Sequence, residues 1–288
     1  MPLLINADDF GLTPGVNRSV SELRQAGALT SATLMATAGY FDEAVALAKA
    51  NPTLEVGCHV LLVDAIPALP PVQVPSLCPD GRQFRMTLSQ LVRDLYLGRV
   101  RASEIEAETT AQIRRLQAAG LRVSHIDTHK HTHVFPRILR PVLRAARACG
   151  IGAIRNPFEP AWARRATPAS SLPRNAAVAA LAVHRPAFGR LVREAGLATT
   201  AGTIGVLATG TLDVINTVER LLAALPKNEG VWELVCHPGY PDAALGRVRT
   251  RLRGSRLKEH EALLALIPRS GIALGSWRGV ANAGHAAR

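Results

Sequence analysis

Aromatic residues, paired cysteines and long apolar runs are scarce in this chain of 288 residues. Only 4% of the residues are aromatic, and no apolar run approaches the length that crosses a bilayer. None of the four cysteines stands in a CxxC pair, which argues against a disulfide framework or a structural zinc knuckle. The first residues lack the basic head and cleavage site of a signal peptide, so we expect a cytoplasmic protein.

Basic residues outnumber acidic residues in this chain, 34 to 22. Hydrophobic residues make up 48% of the chain and charged residues 19%, which is typical of a soluble globular protein. The formal net charge is +12, and most of the positive charge is carried by arginine. Such an excess favours anionic partners, namely nucleic acid, an anionic membrane surface or a phosphorylated substrate. A GC-rich genome that uses arginine freely explains the same charge without any partner.

Short apolar runs alternate with amphipathic stretches, which predicts an α/β fold with parallel strands. We expect one strand to begin near residue 121 and run into a histidine cluster, and seven others at 3–7, 31–37, 55–61, 151–157, 203–207, 230–237 and 271–277. Helices are predicted between them, including 87–98, 103–119, 211–225 and 255–267.

Two segments interrupt this alternation. Five prolines between residues 63 and 82 predict a long ordered loop, of the kind that forms lids or binding loops. Residues 158–202 are irregular, with helices near 174–183 and 187–195, and are too short for a core of their own. We therefore predict one domain over residues 1–280, with 158–202 as an insertion and 281–288 as a disordered tail.

Four of the nine histidines fall within the nine residues from His125 to His133, all at odd positions. Asp127 shares these positions, so in an extended strand the five side chains would point to one face. Imidazole is a common metal ligand, and the cluster predicts a metal site at the end of a strand. A polar, solvated strand end is the alternative interpretation of the cluster alone.

Other predicted strands also end on groups that bind metals or transfer protons: Asp8 and Asp9, His59, and His237. Active sites of parallel α/β folds lie at the carboxyl ends of strands, so these groups should converge. One aspartate with two histidines would leave open positions where a metal activates water. The second aspartate could accept the proton, and a histidine could protonate the leaving group. An Asx turn that caps the following helix is the alternative for the two aspartates.

Four ordered motifs carry a resemblance to a known family: Asn6–Gly11, Gly57–His59, His125–His133 and Cys236–Tyr240. In these motifs the chain resembles the YdjC-like (ChbG) carbohydrate deacetylases, and the resemblance extends from residue 3 to about residue 277. It implies a deformed (β/α) TIM-like barrel with an organisation similar to that of the NodB-type deacetylases. It also implies removal of N-acetyl groups from amino sugars with one divalent metal ion, magnesium or zinc.

The same resemblance implies roles for individual residues. Asp9, His59 and His129 would be the metal ligands, Asp8 the general base and His237 the acid that protonates the leaving amine. Substrate contacts or support of the site are implied for His131, His133, Arg155, Phe135 and Pro136. The resemblance also suggests a homodimer.

Two loops narrow the resemblance to a subgroup. Residues 61–71 and 155–160 look like the hopanoid-biosynthesis-associated (HpnK-type) members. Their implied substrate is an N-acetylglucosaminyl group on a hopanoid lipid rather than a chitooligosaccharide, and a basic surface would suit peripheral association with the inner membrane face. Thr200–Ile204 departs from the more aromatic sequence expected there.

Two other classes of function compete with this interpretation. A nucleic-acid-binding protein would use the net charge and the basic run Arg247–Arg256, but the low aromatic content and the absence of a known motif argue against it. A metal carrier or a phosphoesterase would keep the same ligands without deacetylation.

Overall fold

The computed structural model describes residues 2–167, 172–212, 217–226 and 230–286. Its centre is one curved sheet of eight strands, in which every pair of neighbours is parallel. The strands are β1 Leu3–Phe10, β2 Ser31–Leu34, β3 Glu55–Val60, β4 Val123–Thr128, β5 Ala153–Ile154, β6 Ala198–Thr199, β7 Gly202–Ile204 and β8 Trp232–Cys236. Their order across the sheet is β6-β5-β4-β3-β2-β1-β8-β7. This arrangement confirms the predicted α/β, TIM-like barrel architecture.

Helices connect the strands and cover the sheet. They are α1 Pro14–Gln25, α2 Phe41–Ala50, α3 Leu88–Tyr96, α4 Ala102–Ala118, α5 Pro136–Ala148, α6 Ala161–Ala166, α7 Leu172–Leu181, α8 Arg185–Glu194, α9 Thr217–Ala223, α10 Ala243–Arg247, α11 Arg256–Leu266 and α12 Trp277–Ala286. Short 3-10 turns lie at Pro71–Gln73, His129–Val134, Ala182–His184 and Ile267–Arg269. None of the helices in these described ranges is long and apolar enough to cross a membrane.

Local sequence explains where the elements near the site begin. All eight residues of β1 are buried, as expected for a parallel strand that is covered on both faces. Thr13 caps α1 by accepting a hydrogen bond from the backbone N–H of Val16, and Pro14 occupies the first helical position. Thr87 and Gln90 form a reciprocal capping box at the start of α3.

The last part of the chain differs from its prediction. The strand expected at 271–277 is reduced to a single bridge between Leu274 and Leu3, and α12 extends to residue 286 through the tail predicted to be disordered. Trp277 explains the difference, because its fully buried ring stacks on His125 at 4.0 Å between ring centres. Glu55 accepts hydrogen bonds from the backbone N–H groups of Trp277 and Arg278, which caps this helix.

The irregular segment 158–202 contains more structure than its sequence predicted. It holds α6, α7, α8 and the two-residue strand β6, which is too short to produce a periodic signal. Phe188, Leu191 and Val192 of α8 are buried, and Phe188 packs edge-on against Phe158. α8 therefore anchors the segment to the rest of the protein.

Other predicted bounds were too generous. β5 has two residues instead of the seven predicted at 151–157, and the described part of the helix predicted at 211–225 is α9, Thr217–Ala223. Residues 213–216, part of the helix predicted at 211–225, lie outside the described ranges.

Candidate active site

A bulge near the end of β1 separates the two adjacent aspartates. The register between β1 and β2 shifts between Ala7 and Phe10, and Asp9 adopts a left-handed backbone with φ of 65°. Bulges of this kind turn side chains away from the regular alternation and are frequent beside active sites. Asp8 and Asp9 consequently contact different partners. Neither side chain caps α1, because that position belongs to Thr13, so the Asx-turn alternative is wrong.

Asp9, His59 and His129 converge at the carboxyl ends of β1, β3 and β4. The Asp9 Oδ1 atom lies 3.7 Å from His59 Nε2 and 3.6 Å from His129 Nδ1, and the two nitrogens are 3.3 Å apart. Asp9 Oδ1 is buried and has no hydrogen-bond partner among the described residues. Three donor atoms this close, one of them buried and unpaired, suit the coordination of a single divalent cation.

Asp127 orients the first histidine of this trio. Its Oδ1 atom lies 2.7 Å from His59 Nδ1, so that nitrogen carries a proton and Nε2 is the ring nitrogen that faces Asp9. Burial alone would lower the pKa of His59, but Asp127 and the two neighbouring aspartates outweigh it and raise the pKa to about 9. Without a cation, His59 therefore holds a second proton at neutral pH.

Arg256 contacts the other oxygen of Asp9. Its Nη2 atom lies 2.5 Å from Asp9 Oδ2, and its Nη1 atom donates to the backbone carbonyl of His237 at 3.4 Å. Burial alone would raise the pKa of Asp9, but Arg256 and His129 outweigh it and hold the pKa well below its ordinary value. Arg256 was predicted only as the end of a basic run, yet it is buried at the site.

A second buried cluster surrounds Arg155, which is fully enclosed. Its guanidinium donates to both oxygens of Asp8 at 2.7 and 2.9 Å, to Glu233 at 2.8 Å, and also contacts Asp127. Burial alone would raise the pKa of Asp8, but Arg155 outweighs it and holds the pKa well below its ordinary value. Burial raises the pKa of Glu233 to about 7, although Arg155 opposes the shift.

His237 follows β8 and faces Asp8 across the site. Its Nε2 atom lies 3.8 Å from Asp8 Oδ2, and its Nδ1 atom is buried without a hydrogen-bond partner within the described ranges. Glu259 holds the backbone of His237 by accepting its N–H at 2.6 Å. Backbone bonds from Gly239 to Arg256 and from Tyr240 to Gly15 fix the rest of this motif.

The histidine cluster is not one extended strand. β4 ends at Thr128, and a 3-10 turn follows in which Lys130 and His131 adopt left-handed backbones. The prediction that alternate histidines share one face is therefore wrong beyond His129. Two contacts hold the turn: Thr128 Oγ1 accepts the backbone N–H of His133 at 3.0 Å, and Lys130 pairs with Asp64 at 2.7 Å.

The two later histidines differ in what they can contact. His133 uses both ring nitrogens inside the protein, with Thr128 Oγ1 at 2.7 Å and the backbone carbonyl of Arg155 at 3.1 Å. His131 is half-buried, and its Nδ1 atom has no partner in the described part of the chain. Burial, with the nearby Arg155, lowers the pKa of His131 to about 3, so this ring is neutral. His131 is thus the better suited of the two to contact a ligand.

Phe135 and Pro136 lie where the histidine turn meets α5. Phe135 is buried and packs edge-on against His184 at 5.7 Å between ring centres, and Pro136 is the first residue of α5. These contacts fix the entry into the helix, so both residues shape the loop after His129.

Four charged residues of the site were not predicted: Asp127 as a partner of His59, Glu233, Arg256 and Glu259. Two of them had a signal in the sequence. Asp127 stands at an odd position like the four histidines around it, and Glu233 is a carboxylate within the otherwise apolar run of β8. No sequence signal singled out Arg256 from the other arginines around it.

Comparison with known proteins places this geometry in a family. A family model described as YdjC-like protein matches residues 2–267. The chain belongs to the YdjC-like family. A carbohydrate deacetylase of Brevibacillus brevis is 43% identical over 146 residues, which are 51% of this chain and 56% of that protein. A carbohydrate deacetylase of Listeria welshimeri is 35% identical over 176 residues, 56% of this chain and 69% of that protein. The match thus spans only about half of the first relative's length.

Two solved structures extend the comparison over the whole fold. A candidate cellobiose-phosphate cleavage protein from Enterococcus faecalis is 27% identical, with a TM-score of 0.73 over 96% of this chain and 97% of that one. The lactam utilization protein of Thermus thermophilus is 17% identical, with a TM-score of 0.52 over 96% of this chain and 100% of that one. The second likeness concerns the fold alone.

Proposed function

We propose that this YdjC-like protein is a metal-dependent deacetylase that hydrolyses the N-acetyl group of an N-acetylglucosaminyl substrate. The observation that carries the proposal is the convergence of Asp9, His59 and His129 around a buried carboxylate oxygen that has no hydrogen-bond partner among the described residues, with Asp8 and His237 beside them. The curated relatives named carbohydrate deacetylases support the choice of reaction.

Asp9, His59 and His129 would hold one divalent ion. Two imidazoles with one carboxylate favour zinc over magnesium, since imidazole is a softer donor than the oxygens that magnesium prefers. The bound ion would supply Lewis-acid activation of a water molecule and of the acetyl carbonyl. Arg256 keeps Asp9 ionised. Asp127 accepts a hydrogen bond from Nδ1 of His59, which leaves Nε2 as the nitrogen that would bind the ion.

Asp8 is the proposed general base. A base must be ionised at the working pH, and the paired guanidinium of Arg155 keeps Asp8 ionised. Asn6 donates to its Oδ1 atom at 2.9 Å and Thr33 at 3.3 Å, which leaves Oδ2 as the less saturated oxygen on the side of His237. Asp8 would take a proton from the attacking water at this oxygen.

His237 is the proposed acid. Hydrolysis breaks the amide C–N bond, releases acetate, and requires a proton on the departing amine nitrogen. The ring of His237 is partly exposed and its Nε2 atom faces the site, so a proton can pass from it to a bound substrate. Glu259 and Arg256 hold its backbone and thereby its approach to the reacting bond.

The hopanoid-linked form of the substrate is the finer part of the proposal, and the chitooligosaccharide is its alternative. Residues 61–71, which carry the resemblance to the hopanoid-associated members, lie beside the site, because Asp64 in this loop pairs with Lys130 next to the proposed ligand His129. Glu108 accepts the backbone N–H groups of Ala68 and Leu69, which orders the same loop. This loop therefore borders the site where a substrate would be selected. The homodimer stays a prediction from the family resemblance.

The experiment is a mass-spectrometric product assay of metal-loaded protein with N-acetylglucosaminyl hopanoid and with acetylated chitobiose. We expect acetate release, faster from the hopanoid. Release from the chitobiose alone would contradict the lipid-linked substrate, and no release from either would contradict deacetylation. Phosphate release from a phosphorylated sugar in a parallel assay would instead favour a phosphoesterase.

The variant Asp8→Asn tests the assignment of the two aspartates. We expect bound metal, measured by elemental mass spectrometry, to remain while turnover falls about 10²–10⁴-fold, the usual contribution of a general base. Loss of metal from Asp8→Asn would mean that the roles of Asp8 and Asp9 are reversed.

A further inference from the structure

Helix α7 is mostly apolar, but it lies at the surface of the protein. None of its ten residues is buried in the part of the chain that the structure describes, although four are alanine and three are leucine or valine. Leu172 is 86% exposed, and Val183 in the turn that follows is 75% exposed. Single exposed apolar residues are ordinary, but a mostly apolar helix without a buried residue indicates an interaction surface.

The exposed apolar residues form a stripe. Leu172, Ala176, Ala180 and Val183 are spaced at four, four and three positions, which places them on one side of the helical segment. Leu181, on another side, packs partly against the core. The stripe therefore faces outward while the segment itself is fixed to the protein through Leu181 and α8.

Positive charge surrounds this stripe. Residues 160–193 contain six arginines and no aspartate or glutamate. Arg174 within α7 and Arg185 at the start of α8 are exposed, while Arg190 of α8 pairs weakly with Glu194 at 3.7 Å. Outward apolar residues flanked by unbalanced arginines are complementary to lipid headgroups of negative charge with acyl chains beneath them.

We infer that the α7 surface, residues 172–185, docks on an anionic lipid bilayer. A second copy of this chain fits less well, since it would bring the same arginines and a net charge of +12 against this face. The inference concerns where the protein binds, and it does not depend on the deacetylation proposed above.

The α7 surface lies close to the loops that follow β5 and β7. Arg174 donates to the carbonyl of Val206 at 3.3 Å, and Arg185 lies over the ring of Phe158. Phe158 follows β5 shortly after Arg155, which contacts Asp8 in the candidate active site. Docking through α7 would thus hold the carboxyl-end loops of the barrel near the lipid surface.

Co-sedimentation with vesicles tests the inference. The purified full chain would be mixed with vesicles of phosphatidylcholine alone or with added phosphatidylglycerol. We expect binding to the anionic vesicles only, weakened as salt is raised because exposed charges are screened. The double variant Leu172→Asp with Val183→Asp should bind at least about tenfold more weakly, since it replaces the apolar contact with like charge.

Val72→Asp is the matched control, because Val72 is 83% exposed but lies in the loop after β3. This control should bind like the wild type, and the double variant should still hydrolyse a water-soluble acetylated sugar at the wild-type rate if the chain is a deacetylase. Wild-type protein that stays in solution with anionic vesicles would overturn the inference, as would equal binding to neutral vesicles. A dimer in sedimentation velocity that the double variant abolishes would also overturn it, because a second copy would then cover this face.

Discussion

Two clusters of buried donors lie side by side in the barrel, and they share His59. One consists of Asp9, His59 and His129, and the other of Asp8, His59 and Asp127. Each offers three ligand atoms within 4.8 Å of one another. By residue type alone, both could hold a cation.

The difference between them is the position of the buried guanidinium. Arg155 contacts both carboxylates of the second cluster, so the protein itself supplies the cation there. Arg256 contacts Oδ2 of Asp9, and Oδ1, beside two histidine nitrogens, has no hydrogen-bond partner among the described residues. Arg155 thus occupies both carboxylates of the second cluster, whereas Arg256 leaves one carboxylate oxygen of the first cluster available to a metal ion. The location of arginine therefore decides which of the two acidic clusters can be a metal site.

The largest effect on stability is expected from removing the buried guanidinium of Arg155. Arg155→Met would leave Asp8, Asp127 and Glu233 buried without their guanidinium, and breaking such buried pairs costs about 3–5 kcal/mol. Urea denaturation should show this loss. Arg144→Met is the control, because it removes one partly exposed ion pair with Glu106 and should cost less than about 1 kcal/mol. Equal stability of the two variants would contradict a central role for Arg155.

Removal of one proposed metal ligand, His129, should have the next largest effect, which is on zinc affinity. His129→Ala should weaken zinc binding about 100-fold or more, since it removes a direct ligand and leaves the Arg155 cluster intact. Isothermal titration calorimetry would measure the change. The control His184→Ala removes a half-buried histidine outside the trio. Unchanged zinc affinity in His129→Ala would place the metal elsewhere.

A smaller effect is expected in the pH dependence of stability. Glu233 has a pKa raised from 4.5 to about 7, so the folded protein binds its proton more tightly than the unfolded chain does. Its contribution to stability is therefore present below pH 4.5 and is lost as the pH rises through 7. The slope is at most about 1.4 kcal/mol per pH unit for one proton.

Glu233→Gln should remove this part of the slope, which urea denaturation at a series of pH values would reveal. Glu106→Gln serves as the control, because this carboxylate pairs with Arg144 at the surface. Parallel stability curves for wild type and Glu233→Gln would show that Glu233 does not titrate in this range.

The smallest effect, on zinc affinity, is expected from Lys130, which follows the proposed ligand His129. Lys130→Met breaks the ion pair with Asp64 that holds the turn after His129, and partly exposed pairs are worth less than about 1 kcal/mol. Zinc affinity should fall by no more than about fivefold. A loss as large as that of His129→Ala would show that this turn controls the ligand far more strongly than its ion pair suggests.

Backbone strain points to the same part of the molecule. Among the described residues, the non-glycine positions with left-handed backbones are Asp9, Asp64, Lys130 and His131. Such conformations are unfavourable for side chains other than glycine and persist where the surrounding structure enforces them. All four lie at the cluster of Asp9, His59 and His129 or in the loop that borders it. This strain has no signature in the amino-acid pattern, which is why an extended strand was wrongly predicted through His133.

The sequence by itself determined the fold class and predicted that aspartate and histidine side chains converge at the strand ends, and the family resemblance selected the proposed ligands among them. Buried parallel strands can be recognised as apolar runs in the sequence. Because the short motifs follow these runs, Asp9, His59 and His129 are expected at one edge of the sheet. The tertiary structure alone decided which aspartate has a free oxygen. That choice depends on Arg155 and Arg256, which lie 147 and 247 residues from their aspartate partners. Charge pairing between residues so distant in the chain follows from the packing of the barrel, and no local periodicity encodes it.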